Sequence, residues 1–283
     1  MKQRWSVPDS MAGLRLDQAL AALVPGLSRR GARALLETGA VYLEGRRCRT
    51  ASKFVLAGAT LTIENDATRL VQAEVEVRVL WEGEGIKALD KPAGIPFAPT
   101  RSTVQGTLLY ALARQLVRPV NQLYPVHRLD TPTSGVVLVA LEPQAASFIN
   151  QALQSGRVTK TYLAWVSGAP EPAEGDWTWP LTEVREDGRV HVDPTARPAL
   201  TRYRTLETRR GASLLQFQPV TGRTHQLRAH CAQAHCPILG DKTYGGPLLA
   251  RRALLHAWRI TFPLPGGGEQ TVEAPLPEDM KRD

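Results

Sequence analysis

Residues 124–141 read YPVHRLDTPTSGVVLVAL. The stretch falls into two parts: a polar run, HRLDTPTSG (127–135), broken by Pro132 and Gly135, and directly after it the apolar run VVLVAL (136–141). A short β-branched apolar run bounded by turn residues reads as a buried strand. Asp130 therefore stands in a loop anchored on the core, from which a side chain can be presented to a cleft. A second informative stretch, QPVTGRTHQLRAHCAQAHCPILGDKTYGG, spans residues 218–246. There Gly222 opens a turn, Thr224 is placed to cap a helix, and Arg223 stands at the junction. On composition alone, an Asp or Arg in a turn is more often a cap or a surface pair than a catalytic group.

Outward from these stretches, strands and helices mix without a regular alternation. VEVRVLWEG (75–83) and IKALDKP (86–92) read as a strand pair, TLLYALARQLV (107–117) as a helix, QAASFINQAL (144–153) as a helix, and KTYLAWVSG (160–168) as a strand. TRYRTLET (201–208), SLLQFQPV (213–220) and HAWRITFP (256–263) read as strands around one helix near THQLRAHCAQ (224–233). Adjacent strand pairs with isolated helices predict an α+β class rather than a parallel βαβ array. Glycines 266–268 read as a hairpin turn.

The N-terminal quarter has a different character. LRLDQALAAL (14–23) repeats leucine and alanine at helical spacing, and Ser28 is placed to cap a second helix, RRGARALLETG, stopped by Gly39. Arg29 and Arg33 are one turn apart on that helix and share a face. VYLEG, a turn at Gly45 and TLTIE then predict a small hairpin. Seven cations and two anions lie between Ser28 and Lys53, so +5 of the chain's +8 is concentrated there. The predicted organisation is a tail over residues 1–13, a basic module over 14–66, a linker over 67–73, and a larger domain over 74–283.

With 283 residues, 43% of them hydrophobic, the chain can bury a substantial core without staples. Its three cysteines, Cys48, Cys231 and Cys236, fit a reducing compartment better than a disulfide framework. No run approaches membrane-spanning length and the first residues lack a signal-peptide core, so a soluble cytoplasmic protein is expected. Of the 35 cations 28 are arginine, which suits phosphate and points to nucleic acid. Phosphate-binding GxxxxGK[ST], dinucleotide GxGxxG, GxSxG and HExxH motifs are all missing, which removes support for nucleotide hydrolysis, dinucleotide redox chemistry and the common serine or zinc hydrolases. In HCAQAHC (230–236) the two histidines and the two cysteines are each five residues apart and diverge by about 140° on a helix, so no metal is expected.

Residues 14–65, from RLDQALAALVPGLSRRGARALLETGAVYLEGRR to VLAGATLTIE, resemble the S4 RNA-binding module. Over residues 74–278 the chain resembles the RluA-type pseudouridine synthases, through LDKPAGIPFAP (89–99), HRLDTPTSG (127–135), KTYLAWVSG (160–168), TGRTHQLRAH (221–230), PILGDKTYG (237–245) and LLHAWRITFPLP (254–265) in the family's order. The resemblance implies an α+β fold with a mixed, largely antiparallel central sheet and flanking helices. It also implies conversion of uridine in RNA to its C-glycoside isomer with no cofactor or metal, which accounts for the missing cofactor motifs.

Carried over residue by residue, the resemblance gives Asp130 as the essential aspartate, acting first on either the ribose or the uracil. Arg223 is the basic residue expected to pair with it, and Tyr162 the aromatic group that packs on the target base. Lys160, two residues away on a strand, should face the same side. Arg128 corresponds to a position that contacts the vacated or flipped nucleotide, and its alternative is an internal ion pair. Leu227 corresponds to an apolar position of the uracil pocket or serves as helix core, Tyr162 is otherwise a core aromatic, and His127 adjoins the site. Arg29, Arg30 and Arg33 should contact RNA phosphates.

Two departures from the family pattern leave the subfamily open: Thr131–Pro132 where a charged pair is common, and His235–Cys236 before PILGD. Ribosomal RNA is favoured over tRNA as partner, with a monomer as default. The rival readings are a non-catalytic RNA-binding protein and a hydrolase pairing Asp130 with His127.

Overall fold

The computed structural model describes residues 2–25, 27–64, 75–99 and 106–281. The linker expected over 67–73, and the end of the basic module at 66, lie outside the described residues. The chain divides into two units, residues 1–75 with 98–110, and residues 76–97 with 111–283.

In the first unit, helices α1 (Leu16–Leu23) and α2 (Arg29–Thr38) accompany a four-stranded antiparallel sheet of order β1-β4-β2-β3. Its strands are β1 (Lys2–Ser6), β2 (Val41–Leu43), β3 (Arg46–Arg47) and β4 (Thr60–Glu64). The stretch expected to be a tail thus contains a strand, and β1 pairs with β4 along its whole length. Ser28 caps α2 as its position predicts, with Oγ accepting from the Gly31 N–H at 3.1 Å, and Gly39 ends the helix in the left-handed conformation. Leu16, Leu20, Leu36, Val41 and Leu61 from both layers meet in one core.

The second unit carries a ten-stranded sheet. Its path runs β10 (Glu174–Trp177), β11 (Thr201–Arg209), β12 (Ala212–Pro219), β9 (Thr159–Ser167), β13 (Leu255–Pro263), β8 (Ser134–Ala140), β6 (Ile86–Lys91) and β5 (Arg78–Gly83). Strand β7 (Tyr124–Pro125) joins β8 and β14 (Glu269–Glu273) joins β13, the latter pair enclosing the predicted turn at 266–268. Among the described residues every ladder is antiparallel except β8 with β13. This is the mixed, largely antiparallel sheet expected. Helices α3 (Leu108–Gln115), α4 (Pro143–Gln154) and α5 (Gln226–Gln233) complete the main elements.

All seven residues of β8 are buried, as its apolar run predicts. One row crosses the sheet centre: Phe217 on β12 lies opposite Tyr162 on β9, Tyr162 opposite Ala257 on β13, and Ala257 opposite Gly135 on β8. The two strand steps separating Tyr162 from Gly135 amount to about 10 Å, and the loop ending at Gly135 is the one that holds Asp130. Gly135 has φ +112°, and a Cβ there would stand 2.2 Å from the Ala257 carbonyl oxygen. The close approach of β13 to β8 therefore needs glycine.

Two imidazoles pin β8 as neutral groups. His127 Nε2 accepts from the Leu138 N–H at 3.0 Å, and His256 Nδ1 accepts from Ser134 Oγ at 2.9 Å while its Nε2 faces the Ala274 carbonyl at 3.3 Å. Burial holds their pKa values down, to about 3 for His127 and about 4 for His256.

Two outcomes follow for stability. Gly135→Ala is expected to cost at least about 2 kcal/mol in guanidinium unfolding, by overpacking against β13 in a disfavoured backbone region. The wild-type chain should lose stability as pH falls below 6.5, because the unfolded histidines take up protons that the folded ones refuse. Each of the two contributes up to about 1.4 kcal/mol per pH unit, until pH approaches the folded value. Denaturant midpoints at pH 7, 6 and 5 measure this slope, which should be shallower in His256→Asn.

Candidate active site

The loop 126–133 leaves β7 and returns into β8, and two of its carbonyls are held by the cations Lys91 and Arg252. Lys91, at the end of β6 and inaccessible to solvent, donates from Nζ to the carbonyls of Pro92 (2.8 Å), Ile95 (2.7 Å) and Thr131 (3.2 Å). Burial draws its pKa down to about 7, while the charge of Asp130 pulls it up. Arg252 Nη1 reaches the next carbonyl, Pro132, at 3.4 Å, and its Nε and Nη2 hold both Asp279 oxygens at 2.7 Å. The Asp130 carbonyl accepts from the Thr133 N–H at 3.0 Å, closing a turn. The backbone on either side of Asp130 is therefore anchored.

The Asp130 carboxylate opens into a cleft of about 610 Å³, also lined by Arg128, Lys160, Tyr162, Arg223, Leu227 and Arg228. Its partner is Arg228, whose Nη1 lies 3.3 Å from Oδ2. Arg228 is only 5% exposed and donates through Nε and Nη2 to Asp241 at 2.7 and 2.8 Å. Burial alone would lower the pKa of Arg228, but the hydrogen bonds and charges of Asp241 and Asp130 raise it. Asp241 is itself buried and also accepts from the amides of Thr243 (3.0 Å) and Tyr244 (3.2 Å). His225 Nε2 lies 3.9 Å from the same Asp130 Oδ2.

Arg223, expected to pair with Asp130, does not. It is half-buried, its Nε donates to the Pro198 carbonyl at 3.1 Å, and its amide is held by Gln226 Oε1 at 3.0 Å. The reason lies in where the helix starts. Thr224 is not the cap: His225 occupies that position at φ 55°, and α5 begins at Gln226. The left-handed residue turns the chain between the two arginines, so Arg223 stays in the loop on the cleft wall while Arg228, in the first turn of α5, points at the carboxylate.

The other expected residues divide. Tyr162 and Lys160 both line the cleft from β9, as period 2 predicts. Burial raises the Tyr162 phenol well above its ordinary pKa, helped by the Asp130 charge, and lowers the Lys160 ammonium. Leu227 is buried at the cleft floor and packs with Ala164, Phe217 and Cys231, joining both roles left open for it. Arg128 is exposed on the cleft rim. His127 lines the cleft, but its Nε2 is committed to β8. The carboxylate–imidazole pair of a hydrolase thus does not form with His127.

In the first unit, Arg29 and Arg33 converge on the fully buried Asp17, at 3.6 and 2.7 Å, joined by Arg15 at 3.1 Å. Burial would raise the Asp17 pKa, yet the hydrogen bonds from Arg15 and Arg33 bring it down to about 2. Both Arg29 and Arg33 keep about half of their side-chain surface exposed. The side chain of Arg30 lies outside the described residues.

Sequence reading passed over Arg228, Asp241, His225, Tyr244 and Lys91. The one usable signal was charge in apolar company: Arg228 within QLRAH, and Lys91 ending the strand IKALDK. Among the described residues no three His, Cys, Asp or Glu side chains group as metal ligands, and no helix is long and apolar enough to cross a membrane. Cys231 and Cys236 are buried in the core around α5, and burial pushes both thiols up.

Comparison with known proteins bears on the family and the fold. The profile of the RNA pseudouridylate synthase family matches residues 86–233, and that of the S4 domain matches residues 14–61. An uncharacterized RNA pseudouridine synthase of Mycobacterium bovis is 36% identical, over 97% of this chain and 94% of that protein. The ribosomal large subunit pseudouridine synthase D of Nitrosomonas europaea is also 36% identical, over 97% of this chain and 85% of that protein. Among solved structures, human RNA pseudouridylate synthase domain containing 4 superimposes with a TM-score of 0.59 at 26% identity, covering 72% of this chain and 90% of that one. With a family profile matching more than half of the chain, the Asp130 loop included, and relatives aligned almost end to end, the chain belongs to the RNA pseudouridylate synthase family, isomerases that act on RNA, and carries an S4 domain.

Proposed function

We propose that this enzyme isomerises one or a few uridines of ribosomal RNA, with Asp130 as the group that initiates the reaction. The observation carrying this reading is the open carboxylate of Asp130, backed by Arg228 at 3.3 Å in a cleft that also holds Tyr162. The N1–C1′ bond of the uridine breaks, the uracil turns while held in the cleft, and C5 joins C1′. The C5 hydrogen leaves as a proton, so no atom or electron is needed from outside. Asp130 serves as nucleophile or base at the ribose or the ring, and Arg228, in place of Arg223, is the guanidinium paired with it. Tyr162 packs on the uracil, Leu227 supplies an apolar floor, and Lys160 and Arg128 take polar edges and the phosphate of the extruded nucleotide.

Extrusion of the uridine costs a few kcal/mol of stacking, and the S4 module supplies sequence-independent phosphate binding to offset it. In this proposal residues 14–66 hold RNA through Arg29, Arg30 and Arg33, residues 74–283 carry out the chemistry, and the protein works as a monomer in the cytoplasm. Ribosomal RNA is favoured over tRNA because relatives of nearly the same length are ribosomal large subunit enzymes.

The test is tritium release from RNA labelled at C5 of uridine, using total RNA from a strain lacking the gene. Wild type should release tritium from the ribosomal fraction, and Asp130→Asn should lose at least about a hundredfold in rate with RNA affinity within about twofold. Release confined to the tRNA fraction would move the target, and salt-sensitive binding with no release from wild type would leave a binding protein. The double variant Arg29→Ala/Arg33→Ala should flatten the dependence of log affinity on log salt by roughly 1.4 to 1.8, or about 0.7 to 0.9 for each phosphate no longer neutralised. An unchanged slope would remove the S4 arginines from the RNA interface.

A further inference from the structure

Three residues outside the expected site, His225, Tyr244 and Val190, form a hydrogen-bonded chain whose imidazole end faces Asp130. The Tyr244 hydroxyl accepts from the Val190 N–H at 2.8 Å and lies 3.0 Å from His225 Nδ1. With the Val190 amide donating to its oxygen, the Tyr244 hydroxyl can give its one proton to Nδ1. His225 then carries its own proton on Nε2, the nitrogen 3.9 Å from Asp130 Oδ2. The tautomer is set at the far end of the chain and read out at the carboxylate.

The backbone supports a purpose for this side chain. His225 stands at φ 55°, ψ 16°, a conformation that asparagine or glycine takes at lower cost, and its side chain makes no cap hydrogen bond to α5. The imidazole instead meets the Tyr244 ring edge-on, with centroids 5.7 Å apart and planes at 88°. Tyr244 also lies beneath the Arg228 guanidinium, 5.0 Å from ring centroid to Cζ. One aromatic side chain therefore touches both groups that approach Asp130. The groups acting on His225 are Asp130 and Arg128 from the loop, Arg228 from α5, and Asp241; burial lowers its pKa, with Asp130 and Asp241 pulling up and the two arginines pulling down.

We propose that His225 is a positioning residue for Asp130: a neutral imidazole, locked by Tyr244, that together with Arg228 fixes Oδ2 and leaves Oδ1 as the oxygen presented to the uridine. Among the described residues, the contacts from Arg228 and His225 both fall on Oδ2. At 3.9 Å the imidazole acts through its oriented dipole rather than through a full hydrogen bond. It restricts rotation of the carboxylate, and a misplacement of about 1 Å at a reacting group can cost on the order of a hundredfold in rate. This inference rests on Asp130 being the initiating group.

The experiment measures single-turnover tritium release from C5-labelled ribosomal RNA with enzyme in excess, and RNA affinity separately by filter binding. The variants are Tyr244→Phe, His225→Ala, His225→Gln and the double variant Tyr244→Phe/His225→Ala. Tyr244→Phe keeps the ring under Arg228 and removes only the hydroxyl. It should slow release roughly tenfold, and His225→Ala roughly ten- to a hundredfold, each with RNA affinity within about twofold. His225→Gln, whose side-chain amide can return an N–H near the Nε2 position, should recover much of the rate. The double variant should be no slower than His225→Ala, because Tyr244 acts through His225.

Wild-type rates in Tyr244→Phe and His225→Ala, losses lying wholly in affinity, or independent multiplication of the two effects would overturn the proposal. If His225→Ala does not fold, Tyr244→Phe against His225→Gln decides, since a hydroxyl that acts through the imidazole must cost rate in the first variant. An inactive wild type would instead refute the functional reading on which the inference rests.

Discussion

A guanidinium almost shut off from water must find its counter-charge and its acceptors inside the protein, and in this enzyme the requirement organises the site. Arg228 gives two parallel hydrogen bonds to Asp241, the geometry in which arginine and carboxylate bind most strongly, and turns its remaining edge to Asp130. Asp241 neutralises the buried charge. Arg228 can then hold Asp130 without consuming it, and the second carboxylate stays partly open to the cleft. Removing one member of such a group leaves a buried charge unpaired, at about 3–5 kcal/mol, so the pair must persist for the fold as well as for the chemistry. Lys91 repeats the principle on the backbone, with a solvent-inaccessible ammonium gathering three carbonyls, one of them directly after Asp130.

The S4 module uses the same physics with the sign reversed. Its buried ion is the anion Asp17, and Arg15, Arg29 and Arg33 converge on it while remaining between one-third and half exposed. A flexible arginine loses conformational freedom when it binds phosphate. Arginines already tethered at one edge to a common carboxylate have less to lose and still offer donors on the other edge. In the proposed function, phosphate contacts of this kind orient RNA without reading its sequence, which leaves selection of the uridine to the cleft.

Much of this was legible in the chain. The buried strand β8 follows from VVLVAL, the helices of both units from leucine and alanine spacing, the Ser28 and Gly39 caps from residue type, and the mixed sheet from the resemblance carried by the motifs. Strand β1 was not, because KQRWS has no run of apolar residues and is held chiefly by its ladder with β4. The choice between Arg223 and Arg228 was not legible either. Both lie in one motif, five residues apart, and what separates them is a single histidine in a backbone conformation that residue type does not announce. The offset of the α5 cap by one residue, from Thr224 to His225, decides which arginine reaches the carboxylate. His225, Tyr244 and Asp241 were invisible for the same reason: their roles are made by contacts between loops, and such contacts have no period.

The reaction proposed for this cleft accounts for the amount of structure gathered around one carboxylate. Isomerisation of uridine gains and loses no atoms overall, so the protein has to hold the base through its turn and keep one carboxylate in place while bonds to C1′ exchange. Interactions that raise the rate are those already formed when charge moves, since groups that must reorganise lose their advantage. Here the backbone of the Asp130 loop is fixed by Lys91 and Arg252, one oxygen of the side chain is faced by Arg228 and His225, and those partners are themselves held by Asp241 and Tyr244. Tyr162 comes from the strand row that ends at Gly135, so this aromatic side chain of the cleft and the loop that carries the carboxylate are set by one sheet register. A slip of that register by one residue would turn Tyr162 to the other face, which makes the close β8–β13 contact at Gly135 part of the geometry of the cleft as much as of the fold.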